Sequence, residues 1–192
     1  MSPRQLLRPP APPVVERQPK LYVLIGLPAA GKTTLARHME LELRALRFTP
    51  DEWMIPLFGE SEADGMRNVV EGRCIAVAVS ALRLGCNVIL DFGVWAKDER
   101  TALRWLASTM GAECELIYLD ISASEQSDRV HRRFTAAPGS TFPITQSELD
   151  HWRTIFQPPS QEELRGNDLD APPTGFESWR AWVSDWWPTS LS

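Results

Sequence analysis

Hydrophobic positions fall into two alternating patterns along the chain. Leu21–Ile25 is continuously apolar, as a strand buried on both faces must be. Asn87–Asp91 is a second such run, ending in a carboxylate, and Cys114–Leu119 is a third. A shorter strand is expected around Arg47–Thr49. Between the runs, apolar residues recur every three or four positions. Leu35, Met39, Leu43 and Leu46 form one helical stripe. Val70, Cys74, Val77, Ala81 and Leu84 form another, with Ile75, Ala78, Val79 and Leu82 beside it, so a well-buried helix is expected over Met66–Leu84. Leu103, Leu106, Ala107 and Met110 mark a helix over Lys97–Met110, stopped by Gly111. Ser124 caps a helix reaching about Phe134, and Thr145 with Glu148 forms a capping box opening a helix to about Ile155. A second box, Ser160 with Glu163, starts a short turn. Phe176–Trp187 reads as an aromatic helix whose Trp179, Trp182 and Trp186 share the docking face. Strands alternating with helices predict an α/β fold with a parallel sheet covered on both faces.

The chain begins differently. Met1–Pro19 carries Pro3, Pro9, Pro10, Pro12, Pro13 and Pro19, a density that excludes helix and central strand, so residues 1–19 read as a flexible Pro-rich arm. One domain is expected over residues 20–192.

One stretch carries chemistry that the periodicity does not explain. Gly26–Leu27–Pro28–Ala29–Ala30–Gly31–Lys32–Thr33–Thr34 reads G-x-x-x-x-G-K-T, the phosphate-binding P-loop, and stands between a buried strand and a helix as that motif requires. Gly26 and Gly31 allow tight turns that bring backbone N–H groups round a phosphate chain. The first helical turn adds its unpaired N–H groups and positive dipole end. Lys32 is expected on the β- and γ-phosphates and Thr33 on Mg²⁺.

Composition narrows the setting. Hydrophobic residues make up 43% and charged residues 23%, a balance typical of water-soluble domains. A formal charge of −5 argues against coating nucleic acid through bulk electrostatics. No apolar run is long enough to span a bilayer, and Arg4 and Arg8 precede no signal-like apolar segment. The scattered Cys74, Cys86 and Cys114 lack metal-ligand spacing. A cytoplasmic setting is expected.

Further polar residues gain meaning from the loop. Asp91 ends its strand at the Walker B position, where a carboxylate holds Mg²⁺ or its water; a local helix-capping role and substrate contact are the alternatives. Asp51 follows the presumed second strand, at the edge where ligands bind in open α/β sheets. It is either a general base or the cap of the next helix. Glu52 is expected to point into that helix's first turn. Arg129 and Arg133, four apart on one helix face, either clamp a γ-phosphate or complement the helix dipole. Trp53 and Trp95 follow the two aspartates and are candidate walls for an organic substrate or core residues.

These features together resemble the small P-loop kinases of the polynucleotide kinase, chloramphenicol phosphotransferase, zeta-toxin and gluconate kinase group, which often carry the general label of AAA-type ATP-binding proteins. The resemblance covers roughly Lys20–Glu163. It rests on Gly26–Thr34, on Thr49–Trp53 with Leu57–Gly59, on Asn87–Asp91 followed by Phe92–Arg100, on the Leu116–Asp120 strand and on Arg129–Arg133. It implies a three-layer sandwich with sheet order 2-3-1-4-5 and a helical lid around residues 129–145. It implies ATP with Mg²⁺ as donor and a hydroxyl as acceptor. By position, Asp51 matches the general base and Arg129 and Arg133 match lid arginines. Asp91 matches a metal or substrate position, and Trp53, Trp95 and Arg100 fall in the acceptor region. The chain departs from the group where a fifth strand is usual, because Arg165–Gly175 is polar and Pro-rich. The extra helical domain of a mechanical AAA+ ATPase is not expected.

A kinase acting on a small hydroxyl compound (antibiotic, sugar, nucleoside or nucleotide-sugar) is thus the leading expectation. The alternatives are an ATPase or nucleotide-dependent switch with water as acceptor, a polynucleotide 5′-hydroxyl kinase, and an interaction protein that uses its Pro-rich arm and Trp-rich tail. A nucleic-acid acceptor fits less well than a small molecule, and no membrane partner is expected.

Overall fold

The computed structural model describes residues 18–136, 143–166 and 169–191. Most of the Pro-rich arm and the centre of the expected lid loop lie outside these residues. Four parallel strands form one sheet: β1 (Lys20–Ile25), β2 (Leu46–Phe48), β3 (Val88–Gly93) and β4 (Glu113–Tyr118), in the order β2-β3-β1-β4. That matches the first four strands of the expected 2-3-1-4-5 order. No fifth strand occurs among the described residues.

The strand at the centre explains the layering. Along β1, Leu21, Val23 and Ile25 enter one core while Tyr22 and Leu24 enter another. Successive side chains of a strand point to opposite faces, so a continuous apolar run needs a helical layer on each side. On one side α1 (Lys32–Leu43) contributes Ala36 and Met39. On the other, α3 (Met66–Arg83), α4 (Lys97–Thr109) and the tail helix cover the larger core, with Ile75, Leu82, Leu103 and Leu106 almost fully buried. Helix α2 (Asp51–Phe58) follows β2, α5 (Ala123–Ala136) follows β4, and α6 (Gln146–Ile155), α7 (Gln161–Leu164) and α8 (Trp179–Trp186) complete the chain.

Several boundaries differ from the sequence expectations. Leu46 does not belong to the α1 stripe. Arg44 turns left-handed (φ 49°), its N–H bonds Glu40 O, and Leu46 opens β2 instead. Strand β3 runs two residues past Asp91, because Gly93 O accepts from Gly26 N at 3.1 Å and ties the strand end to the P-loop. The tail helix starts at Trp179, capped by the Ser178 hydroxyl on Ala181 N. Its docking face is also different. Trp179 and Trp182 are buried as expected, but Trp186 remains 41% exposed and Trp187 is 1% exposed. The chain leaves helical geometry at Trp187 (φ −117°, ψ 82°), which turns that ring inward.

Candidate active site

The site is built at the C-terminal edge of the sheet. Gly26 leaves β1 at φ 148°, and a Cβ there would lie 2.5 Å from Leu119 O, so only glycine fits between the loop and the end of β4. Gly31 (φ 103°) opens α1. Lys32 folds back over the loop, and its Nζ donates to Gly26 O (2.8 Å) and Leu27 O (2.9 Å). Burial pulls its ammonium below its ordinary pKa, while Asp91 and Asp51 oppose the shift.

Asp91 meets the loop directly. Its Oδ2 accepts from Thr33 Oγ1 at 2.6 Å and from Thr49 Oγ1 at 3.2 Å, so the first turn of α1 and the residue after β2 converge on one buried carboxylate of β3. Burial raises its pKa, and the Thr33 hydroxyl and Lys32 pull it back. A magnesium ion is implied by this fold, and the donors fit it. The Thr33 hydroxyl and Asp91 carboxylate are hard oxygen ligands, and one or two of these with substrate phosphates are what Mg²⁺ requires. Among the described residues no group of three His, Cys, Asp or Glu could cage a metal without help from a nucleotide.

Asp51 is the first residue of α2 and lines the cleft beside the loop. Its Oδ1 accepts from Arg67 Nη2 at 3.0 Å, and no donor among the described residues reaches Oδ2. Glu52 turns away and pairs with Arg37 (2.9 Å) and Arg47 (3.1 Å). The cleft has a volume of about 330 Å³ and extends from Lys32 past Asp51 and Asp91 to Trp95. Trp95 packs against Trp152 with ring centroids 5.7 Å apart. It is delivered there by a turn in which Val94, a β-branched residue, has φ 40°, a strained conformation beside the functional edge.

The expected arginine pair divides. Arg133 reaches the cleft, whereas Arg129 braces the loop from outside, donating to Ala29 O (3.2 Å) and pairing with Glu125 (2.6 Å). Two expectations for acceptor contact are corrected. Arg100 is 1% exposed and sealed by Glu163 (Nη2–Oε2 3.1 Å), with Nη1 donating to Trp95 O and Gln157 O. It therefore holds the wall in place and does not face a substrate. Trp53 is 51% exposed and does not line the cleft.

Sequence reasoning missed the far side of the cleft, where Arg67, Glu71, Glu99, Trp152 and Trp187 stand. Burial pushes the Glu71 carboxyl up to about 7, opposed by Arg67 and the Trp187 indole. Burial also raises Glu99, opposed by the Ala96 N–H and the Trp186 indole. The available signal was Glu71 itself, a carboxylate in a helix with two adjacent apolar faces, with Arg67 one turn before it.

The strand order, glycine loop, inward lysine and threonine–aspartate pair define a P-loop nucleotide-binding domain of kinase-like fold. The chain belongs to the AAA domain family AAA_33, whose model matches residues 21–159. No curated protein matches it by sequence. Solved structures similar in fold include a chain of the Pnkp1/Rnl/Hen1 RNA repair complex (20% identity, TM-score 0.64). That match covers 88% of this chain but only 50% of the other, so the present chain spans about half its relative's length. Kti12 of Chaetomium thermophilum, solved in complex with ADP-AlF3, aligns with 19% identity over 86% of this chain and 95% of that one, at TM-score 0.56. A gluconokinase from Sinorhizobium meliloti 1021 aligns with 17% identity over 91% of both chains, at TM-score 0.53. No helix among the described residues is long and apolar enough to cross a membrane.

Proposed function

We propose that the protein is an ATP-dependent phosphotransferase that moves the γ-phosphate of Mg-ATP to a hydroxyl of a small organic acceptor. The observation that carries this reading is the shared cleft: Lys32, Asp91 and Asp51 line one cavity, and no donor among the described residues occupies Asp51 Oδ2. In the reaction, Asp51 takes the proton from the acceptor hydroxyl as its oxygen bonds to the γ-phosphorus. The bond to the β–γ bridging oxygen breaks, and ADP leaves with that electron pair. The backbone of Gly26–Thr34 cradles the phosphates, and Lys32 and Arg133 offset the charge that builds on the transferring group. Arg129 keeps the loop in shape from outside. Thr33 and Asp91 would hold Mg²⁺, which supplies charge neutralisation across the phosphates when bound. Trp95 offers the acceptor an apolar or stacking wall.

The candidate acceptor classes are sugars, nucleosides, nucleotide-sugars and antibiotics. Kinship in fold with an RNA-repair complex raises a polynucleotide acceptor as a second candidate. The Glu62, Glu71 and Glu99 carboxylates lining the cleft weigh against a polyanion there. The test is an ATP-consumption screen over hydroxyl compounds with mass spectrometry of each hit. A mass gain of one phosphoryl group on a small acceptor is expected. ATP turnover with no phosphorylated product from any acceptor would favour the ATPase reading instead. Lys32→Ala should weaken ATP binding at least tenfold by calorimetry, and unchanged affinity would refute the assigned role of the loop.

A further inference from the structure

The two last tryptophans of the chain each donate an indole N–H to a carboxylate that lines the cleft. Trp187 Nε1 lies 3.0 Å from Glu71 Oε2, and Trp186 Nε1 lies 3.2 Å from Glu99 Oε1. From Glu71 the bonding continues inward. Its Oε1 accepts from Arg67 Nε at 3.1 Å, and Arg67 Nη2 donates to Asp51 Oδ1 at 3.0 Å. Arg67 Nη1 is occupied by Ser61 O at 3.2 Å.

The tail is seated to hold this arrangement. A Cβ on Gly72 would collide with Pro188 O, so the backbone of the tail rests directly on α3. Arg73 Nη1 donates to Thr189 O at 3.2 Å. Three consecutive residues of α3 therefore receive Trp187, Pro188 and Thr189 in turn.

Each link has a physical consequence. A buried carboxylate is tolerated only when its oxygens are partnered. Trp187 supplies the partner for one Glu71 oxygen and Arg67 for the other. Without the indole, Glu71 is driven to its neutral form, and Arg67 loses one of the two charges between which it is held. The guanidinium is then drawn onto Asp51 alone, where its planar fork can bind both carboxylate oxygens. That would occupy Oδ2, the atom left for the acceptor. We infer that Trp187 is a positioning residue of the acceptor site: through Glu71 and Arg67 it keeps Asp51 presenting to the incoming hydroxyl the one oxygen that has no partner among the described residues. The inference rests on the reading of Asp51 as the base.

Its test uses the full chain labelled with ¹⁵N-tryptophan. The groups acting on Glu71 include Arg67 and Cys74 on its own helix, Asp51 on α2, Glu99 on α4 and the Trp187 indole of the tail. The Trp187 indole resonance should shift with a midpoint near pH 7 and should not titrate in Glu71→Gln. Asp51→Asn removes the competing charge on Arg67 and should lower that midpoint by roughly half a unit or more. MgATP turnover, with water in place of the acceptor hydroxyl, supplies a second readout. Trp187→Phe keeps a ring and loses the donor. Its kcat should fall about tenfold with KM for MgATP unchanged, and its pH–rate profile should move to higher pH. A midpoint unaffected by Asp51→Asn, or an unchanged kcat and pH profile in Trp187→Phe, would overturn the inference. An intact titration linkage alongside full turnover in Asp51→Asn would locate the failure in the base assignment rather than in the bonding chain.

Discussion

Gly26 has the least latitude of any residue at the site. Its φ of 148° disfavours a side chain, and a methyl group there would stand 2.5 Å from Leu119 O, an obstacle made of backbone. Gly26→Ala should destabilise the fold by about 2–4 kcal/mol and weaken nucleotide binding with it, read by chemical denaturation and calorimetry. Glu71 gives a pH signature. Its pKa in the fold, about 7, stands above the ordinary 4.5 expected of the unfolded chain. The stability associated with its protonated form is therefore fully present below about pH 4.5 and is lost as pH rises through 7. The loss amounts to no more than about 3.5 kcal/mol. Denaturant melts at pH 5 and pH 8 should show this slope in the wild type and a flatter one in Glu71→Gln. An equal slope in both would show that another group titrates.

Elements carry the next set of consequences. Helix α4 is tied to α7 by the buried Arg100–Glu163 pair, and the same guanidinium holds the carbonyl of Trp95. Arg100→Met strands the Glu163 carboxylate and should cost about 3–5 kcal/mol. The double variant with Glu163→Met should recover much of that loss, as measured by urea unfolding. The regular elements were largely legible in the sequence, since β1 is a continuous apolar run and α3 carries an unbroken period of three and four. The errors fell where a single backbone turn decides the outcome. Arg44 turning left-handed moved Leu46 from helix to strand, and the turn at Trp187 exchanged that ring for Trp186 in the core. Periodicity assumes that the helix continues and holds no information about where one residue leaves it.

At the scale of the whole molecule, the loop side and the far side of the cleft were legible to different degrees. The loop, Lys32, Thr33 and Asp91 announce themselves because their spacing follows directly from a strand–loop–helix unit and a neighbouring strand end. The far wall does not, because Arg67, Glu71, Glu99 and Trp187 come from α3, α4 and the tail, brought together only by the closed fold. Arg100 shows the converse: its place in the chain pointed to substrate, while its burial with Glu163 gives it a structural task. The central claim is that Asp51 serves as base for a hydroxyl acceptor on a P-loop platform. The measurement that tests it most directly compares wild type and Asp51→Asn in MgATP binding and in phosphoryl transfer to the acceptor identified by the screen. The account predicts ATP affinity within about threefold of wild type and transfer reduced by roughly 10²–10⁴-fold. Full transfer by Asp51→Asn would contradict it.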